Sequence, residues 1–235
     1  MTGKNVMGKA PIGAVRDLKA IDPKTIPHVL VEGEMGAALE YMVSDTKTGK
    51  VTEHVIKRSE SYVQQFLQWL WCAFVGNGTS SSIQIRDTGN TLRNIYQNDF
   101  NNMANNAEIF GDVNAGAGTT SYGIVVGTGA VAPTIADYAL GTLIAHGVGA
   151  GQLQYSVHSF GAPAADATTS QLTITRNFAN GSGGAITVNE IGLYCQVNDT
   201  GNTIRYIMLI RDVTGGVAVP NGQTLTVNYR PQAVV

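Results

Sequence analysis

Between Ser121 and Arg230 the chain alternates short apolar, β-branched segments with clusters of Gly, Asn, Asp and Thr. Ser121–Gly127, Gln152–His158, Gln171–Phe178, Ala185–Val197, Asn202–Val213 and Gln223–Arg230 all read as strands. Turn chemistry bounds each of them, and no helix-length apolar period separates them as a βαβ unit would require. The reading is a mainly β fold, an antiparallel β-sandwich of jelly-roll-like type.

One helix stands upstream of this array. Tyr62, Val63, Phe66, Leu67, Leu70 and Phe74 recur at three- and four-residue steps, with Trp69, Trp71 and Cys72 broadening the face. Ser59 or Ser61 offers an N-cap, Ser61 and Gln64 have capping-box spacing, and Gly76-Asn77-Gly78 supplies the stop. Both tryptophans of the protein fall here, so the expectation is one largely buried amphipathic helix near residues 59–75. A second, short helix is expected at Thr134–Leu140.

Residues 1–57 are less regular. Pro11, Pro23 and Pro27 exclude long helices and favour an extended arm. His28–Glu32 and Tyr41–Ser44 are strand candidates, and Asp45–Lys50 is a turn that would join Leu39–Ser44 to Lys50–Ile56 as a hairpin. The chain therefore divides into an N-terminal arm and hairpin (1–57), suited to assembly, and a sandwich domain containing the helix (58–235). Short strands are expected at Ser82–Arg86 and Asn94–Tyr96, followed by an Asn-rich stretch (Asn98, Asn101, Asn102, Asn105 and Asn106) suited to surface contacts.

Charged residues make up only 14% of the sequence, against about 25% in ordinary soluble domains. With 43% hydrophobic residues the chain can fill a core, while its charge-poor surface sets little electrostatic barrier to packing against copies of itself. A net charge of −2 gives no general support for nucleic-acid binding. The N-terminus lacks the apolar core of a signal peptide and no apolar run is long enough to span a bilayer, so synthesis in a host cytoplasm is expected. Cys72 and Cys195 read as small buried hydrophobes rather than a disulfide framework.

Several motifs invite chemistry. Asp87-Thr88-Gly89 and Asp199-Thr200-Gly201 repeat the triplet in which aspartic proteases carry their paired carboxylates. Both extend to D-T-G-N-T, where Asn replaces the Ser or Thr expected after Gly, and the flanks Arg86 and Asn198 are polar. The same residues are good hairpin-turn formers, which is the preferred reading. Gly127–Ala132 formally matches G-x-G-x-x-A, but Pro133 follows at once and no second strand ends in an acid at the right distance, so a Gly-rich turn is preferred to a nucleotide site.

His28, His54, His146 and His158 are too scattered for a local metal pair. Glu190, between Val188 and Ile191 in a strand, is the most interesting lone acid. It is read as a strand-end carboxylate bonded to backbone or paired with Arg176 or Arg211, rather than as a general acid. Asn77, Asn180 and Asn198 fit glycosylation triplets but are read as turn residues. No catalytic, metal or cofactor-binding residue is therefore assigned, and no cofactor is expected.

Three segments together resemble structural proteins of tailed bacteriophages, especially fibre, collar and baseplate components. They are Tyr122–Gly147 (strand, G-T-G turn, Pro, Asp-x-x-Leu and a second apolar stretch), Ile174–Gln196 (paired strands ending in E-I-G-L-Y), and Met208–Arg230 (an R-D strand end, a P-N-G turn and an alternating final strand). The segments RSESYVQQFLQWLW and IRDTGNTLRNI are similar to upstream parts of such proteins. The resemblance implies a non-enzymatic virion part, working as a homo-oligomer at the tail, baseplate, fibre or neck. Its partners would be copies of itself and other virion proteins, with no membrane or nucleic acid. A head decoration protein is the alternative within that class. From another class comes a receptor- or carbohydrate-binding module, in which Tyr96, Phe100, Phe110 and Tyr138 would meet a host-surface glycan, although the preferred reading of each is a core or interface residue.

Overall fold

The computed structural model describes residues 29–59, 62–75, 83–95, 111–201 and 203–235. Among these described residues the fold is mainly β, with antiparallel sheets and one short helix. Strands β1 (Met35–Asp45) and β2 (Val51–Arg58) form the expected hairpin. Asp45 Oδ1 closes its turn by accepting the Lys47 and Thr48 N–H groups, and Gly49 adopts a φ of 71°. That is ordinary Asx-turn chemistry followed by a left-handed glycine.

The hairpin is built into the larger sheet. β11 (Gln223–Val234) pairs with β1 from Met35↔Ala233 to Asp45↔Gln223, and β8 (Thr169–Ala179) lies on its other side. The far side of β8 is shared by β6 (Gln154–Tyr155) and β7 (Ser159–Ala165), which gives the order β2-β1-β11-β8-β6 with β7 also on β8. A second sheet has the order β10 (Ile204–Val219), β9 (Ile186–Asn198), β5 (Gly123–Gly127). β3 (Ile83–Arg86) and β4 (Leu92–Ile95) form a separate two-stranded hairpin.

Period-two alternation turns Leu39, Tyr41, Val43, Leu225, Val227, Tyr229 and Phe178 of the large sheet toward Ile124, Val126, Ile191, Leu193 and Ile207 of the second, in one apolar cluster. The opposite face of the large sheet is polar yet partly closed. There Glu40 accepts from His54 Nε2 (2.7 Å) and Asn228 Nδ2 (2.7 Å) and pairs with Arg230. Burial pushes the Glu40 carboxyl up, but Arg230, Asn228 and His54 outweigh it and hold the group below its ordinary range.

The helix α1 (Gln64–Val75) departs from expectation. Cys72 is buried, and Phe66 and Trp69 pack against the core, but Leu67 (62% exposed), Trp71 (44%) and Phe74 (80%) face outward. Its residues are apolar nearly all round and only one side meets the sheets, so composition overstated its burial. Tyr62 and Val63 precede the helix: Tyr62 bridges to Ile210, and Val63 N–H donates to Leu209 O. Ser61 and Gly76–Gly78 lie outside the described residues.

Two further expectations are corrected. Thr134–Leu140 is a turn closed by Asp137, whose carboxylate accepts from the Thr134 N–H (3.0 Å) and hydroxyl (2.7 Å), and not a helix. From Val29 to Glu32 there is no strand, since Gly33 at φ 80° reverses the chain into β1; His28 lies outside the described residues. β7 has no counterpart in the expected strands, because S-F-G-A-P-A-A lacks both β-branched residues and alternation.

Candidate functional site

Residues of the segments Tyr122–Gly147, Ile174–Gln196 and Met208–Arg230 converge on one buried ionic cluster. Glu190, on β9, is wholly buried and accepts five hydrogen bonds. Oε1 takes the Gly129 and Thr142 N–H groups, both at 2.9 Å, and Oε2 takes Gly141 N–H (3.0 Å) together with Arg211 Nε (3.0 Å) and Nη2 (2.8 Å). Arg211, from the adjacent strand β10, also donates to Asp137 Oδ2 (2.7 Å) and Val131 O (3.0 Å). Tyr194, one turn of the pleat beyond Gly192, accepts the Leu140 N–H at 2.5 Å.

So the Glu and Tyr of E-I-G-L-Y, the Arg of R-D, the Asp and Leu of D-x-x-L and the second Gly of G-T-G all meet. Together they hold loop 128–142 against the β9–β10 face. The glycines are required by contact rather than by conformation. A Cβ on Gly129 would stand 2.4 Å from Glu190 Oε1, and one on Gly127 would stand 2.5 Å from Thr142 O and 2.6 Å from Glu190 Oε1. The G-x-G-x-x-A match thus encodes close approach of a protein carboxylate, within a turn.

Burial alone would lower the Arg211 guanidinium, but Glu190 and Asp137 outweigh it and raise it. Burial would raise the Asp137 carboxyl, but Thr134 and Arg211 bring it below its ordinary value. Both groups are committed as ions to each other and to backbone. The neighbouring Asp212 serves the other face of β10, accepting from Tyr229 (2.9 Å) and Ser59 (2.8 Å) and tying the two sheets together.

Of the two arginines considered for Glu190, the structure chooses Arg211. Arg176, fully buried, reaches the opposite loop and donates to the carbonyls of Ser156, Ile124, Gly116 and Thr119 at 2.7–3.0 Å, with its guanidinium 4.9 Å from the Tyr155 ring centroid. Desolvation lowers it to about 10. His158 completes this second anchor: Nε2 accepts the Ile124 N–H (2.8 Å) while Nδ1 lies 3.0 Å from Ala115 O. Burial drives the imidazole down to about 4, so it works as a neutral ring. Nothing in the local sequence around His158 marks this role, which depends on strands brought together only by folding.

The two D-T-G triplets fold alike. Asp87 Oδ1 accepts from Gly89 and Thr91 N–H (3.0 and 2.9 Å) and Oδ2 from Arg93 Nε (2.7 Å). Asp199 repeats this with Gly201, Thr203 and Arg205 at 2.9, 2.9 and 2.6 Å. The repeat is therefore D-T-G-N-T-x-R, with the arginine as the part that motif inspection missed. The two turns also join reciprocally: Thr88 N–H donates to Tyr206 O (2.9 Å) and Thr200 N–H to Asn94 O (2.8 Å). Burial would raise both carboxyls, but the arginines and turn amides lower them. A proton-sharing dyad needs one carboxyl raised, so this geometry suits stapled turns.

Among the described residues no group of three or more His, Cys, Asp or Glu is placed to hold a metal ion, and no helix is long and apolar enough to cross a membrane. Cys72 and Cys195 are free and buried, with their thiols pushed up to about 11 and about 12 by desolvation. Tyr138 is half-buried, while Tyr96, Phe100, Phe110 and the Asn-rich stretch lie outside the described residues. An open groove of about 600 Å³ runs between the sheets beside α1, lined by Tyr62, Phe66, Trp69, Leu172, Leu193 and Leu209 among others. Comparison with protein-family models returns no match, and comparisons with curated proteins and with solved structures return none either.

Proposed function

We infer that this chain is a non-enzymatic structural component of a tailed-virus virion, a homo-oligomer seated at the tail, baseplate, fibre or neck. The observation that carries the reading is the convergence of the three phage-like segments on the Glu190–Arg211–Asp137 cluster. A buried ion network with every partner matched fixes one loop geometry, and that loop presents Val131 and Ile135 to solvent. Rigid, uncharged, apolar loop tips on a β framework are suited to docking against neighbours in a symmetric assembly. On the same reading the two facing sheets form an antiparallel β-sandwich of jelly-roll-like type.

Antibody–gold labelling of intact and partly disrupted particles from the source virus tests this. Label at the tail tip, fibres or neck supports the reading, and label over the head assigns decoration instead. Particles that carry no label, together with binding of the purified chain to host-surface polysaccharide, would move the protein to the receptor-binding class.

A further inference from the structure

Helix α1 is seated with its glutamines inward and its largest apolar stripe outward. At about 3.6 residues per turn, Leu67, Leu70, Trp71 and Phe74 share one side of it, and Gln65, Gln68, Trp69 and Cys72 share the other. The second side meets the sheets: Gln65 and Cys72 are fully buried and Trp69 packs on the core. The Gln65 carboxamide and Gln68 Oε1 are buried there and meet no hydrogen-bond partner among the described residues. On the first side Leu67, Trp71 and Phe74 are exposed and Leu70 is half-buried. A half-turn rotation would bury the leucines and hydrate the carboxamides, so burial within one chain does not explain this seating. Cover over the outer side does.

The pattern of that side specifies its cover. Positions 67, 70, 71 and 74 stand at i, i+3, i+4 and i+7, the spacing that seats a second helix. The one helix among the described residues is α1 itself, which makes the α1 of a second copy the available partner. α1 contains no charged residue, so two copies meet without like-charge repulsion. Ile135, also exposed, extends the apolar patch at the helix N-terminus, where its carbonyl takes the Gln64 N–H at 2.9 Å. Leu67, Trp71, Phe74 and Ile135 expose on the order of 500 Å², so two copies face to face remove about 1,000 Å² from water, the lower bound for a specific interface.

We propose that this outer face of α1 is the contact between two copies of the chain, which pack their α1 helices antiparallel across a two-fold axis. A two-fold makes one apolar stripe complementary to itself, and antiparallel seating sets the helix dipoles in opposition. Leu67 then meets Phe74 of the partner subunit, with Leu70 and Trp71 beside the axis. The inference rests on the homo-oligomer part of the proposed function and names the surface that carries it.

Sedimentation of the full-length chain tests the contact. The wild type should dimerise at micromolar concentration. Phe74→Glu and Leu67→Glu, both at exposed positions, should each weaken the dimer by about a hundredfold, since every dimer then buries two charges, with the far-UV circular dichroism unchanged. An oligomer that both variants leave intact overturns the contact and leaves the homo-oligomer reading standing. A wild-type monomer at about 100 µM overturns the contact and self-association in solution together. Gold labelling of particles decides virion placement independently of either result. As a second readout, full-length Leu67→Cys and Phe74→Cys chains are mixed in equal amounts and oxidised. The buried native thiols of Cys72 and Cys195 are poorly reactive. The mixed disulfide should form well above its statistical share, and a statistical mixture overturns the antiparallel pairing.

Discussion

Replacing Glu190 by Gln is the most direct test of the ionic cluster, because it alters no volume and removes only charge and acceptors. With the side chain held as in the wild type, the introduced amide carbonyl keeps the Gly129 and Thr142 N–H groups, while its NH₂ faces Gly141 N–H and both Arg211 donors. Three accepting interactions become donor–donor contacts, two of them to a guanidinium that is 4% exposed. Breaking a buried pair from one side costs about 3–5 kcal/mol. Arg211 keeps Asp137 and Val131 O, which puts the expectation at about 3 kcal/mol, the lower end of that range.

Urea unfolding followed by the fluorescence of Trp69 and Trp71 reads this. At a urea slope of about 3 kcal/mol per M, the midpoint should fall by about 1 M. Hydrogen exchange should quicken first at the amides of Gly129, Gly141 and Thr142. Arg211→Met added to Glu190→Gln should couple by at least about 1 kcal/mol, since the second change removes the charge left stranded by the first. A midpoint shift below about 0.3 M with unchanged exchange at those amides would refute the clamp as the element that fixes loop 128–142.

Gly129→Ala should destabilise by about 1–3 kcal/mol, because its methyl meets Glu190 Oε1, whereas Gly184→Ala, with open space around it, should stay within about 0.5 kcal/mol; thermal melts compare the two. His158 has a folded pKa of about 4, below its unfolded value, so its contribution is full above that unfolded value and is lost as pH falls toward 4. Stability should drop by about 2 kcal/mol between roughly pH 7 and pH 5, before the carboxylates titrate, and His158→Gln should flatten that slope in urea titrations. Asp87→Asn and Asp199→Asn should each cost about 1–2 kcal/mol and by similar amounts, since the turns share one bonding pattern; unequal losses measured by calorimetry would count against the equivalence of the repeats.

The alternation of apolar and polar residues in Leu39–Val43, Ile186–Val188 and Leu225–Tyr229 made the strands, their inward faces and the β1–β2 hairpin legible without a structure, because period-two side-chain direction is a local property. Turn chemistry at Asp45–Gly49 and in D-T-G-N-T was equally local. The partners of Glu190 were narrowed to two arginines by sequence, but the selection of Arg211 required the pairing of β9 with β10, with Arg211 opposite Gly192. Helix burial was misjudged for a related reason: the apolar surface of α1 is written in its sequence, while the number of sides that meet a sheet is set by tertiary packing. His158, Arg176 and the groove beside β7 lie further from local reading still. Each arises where segments distant in sequence share one volume, and the buried polar groups there are satisfied by carbonyls and amides that every residue carries and no residue type announces.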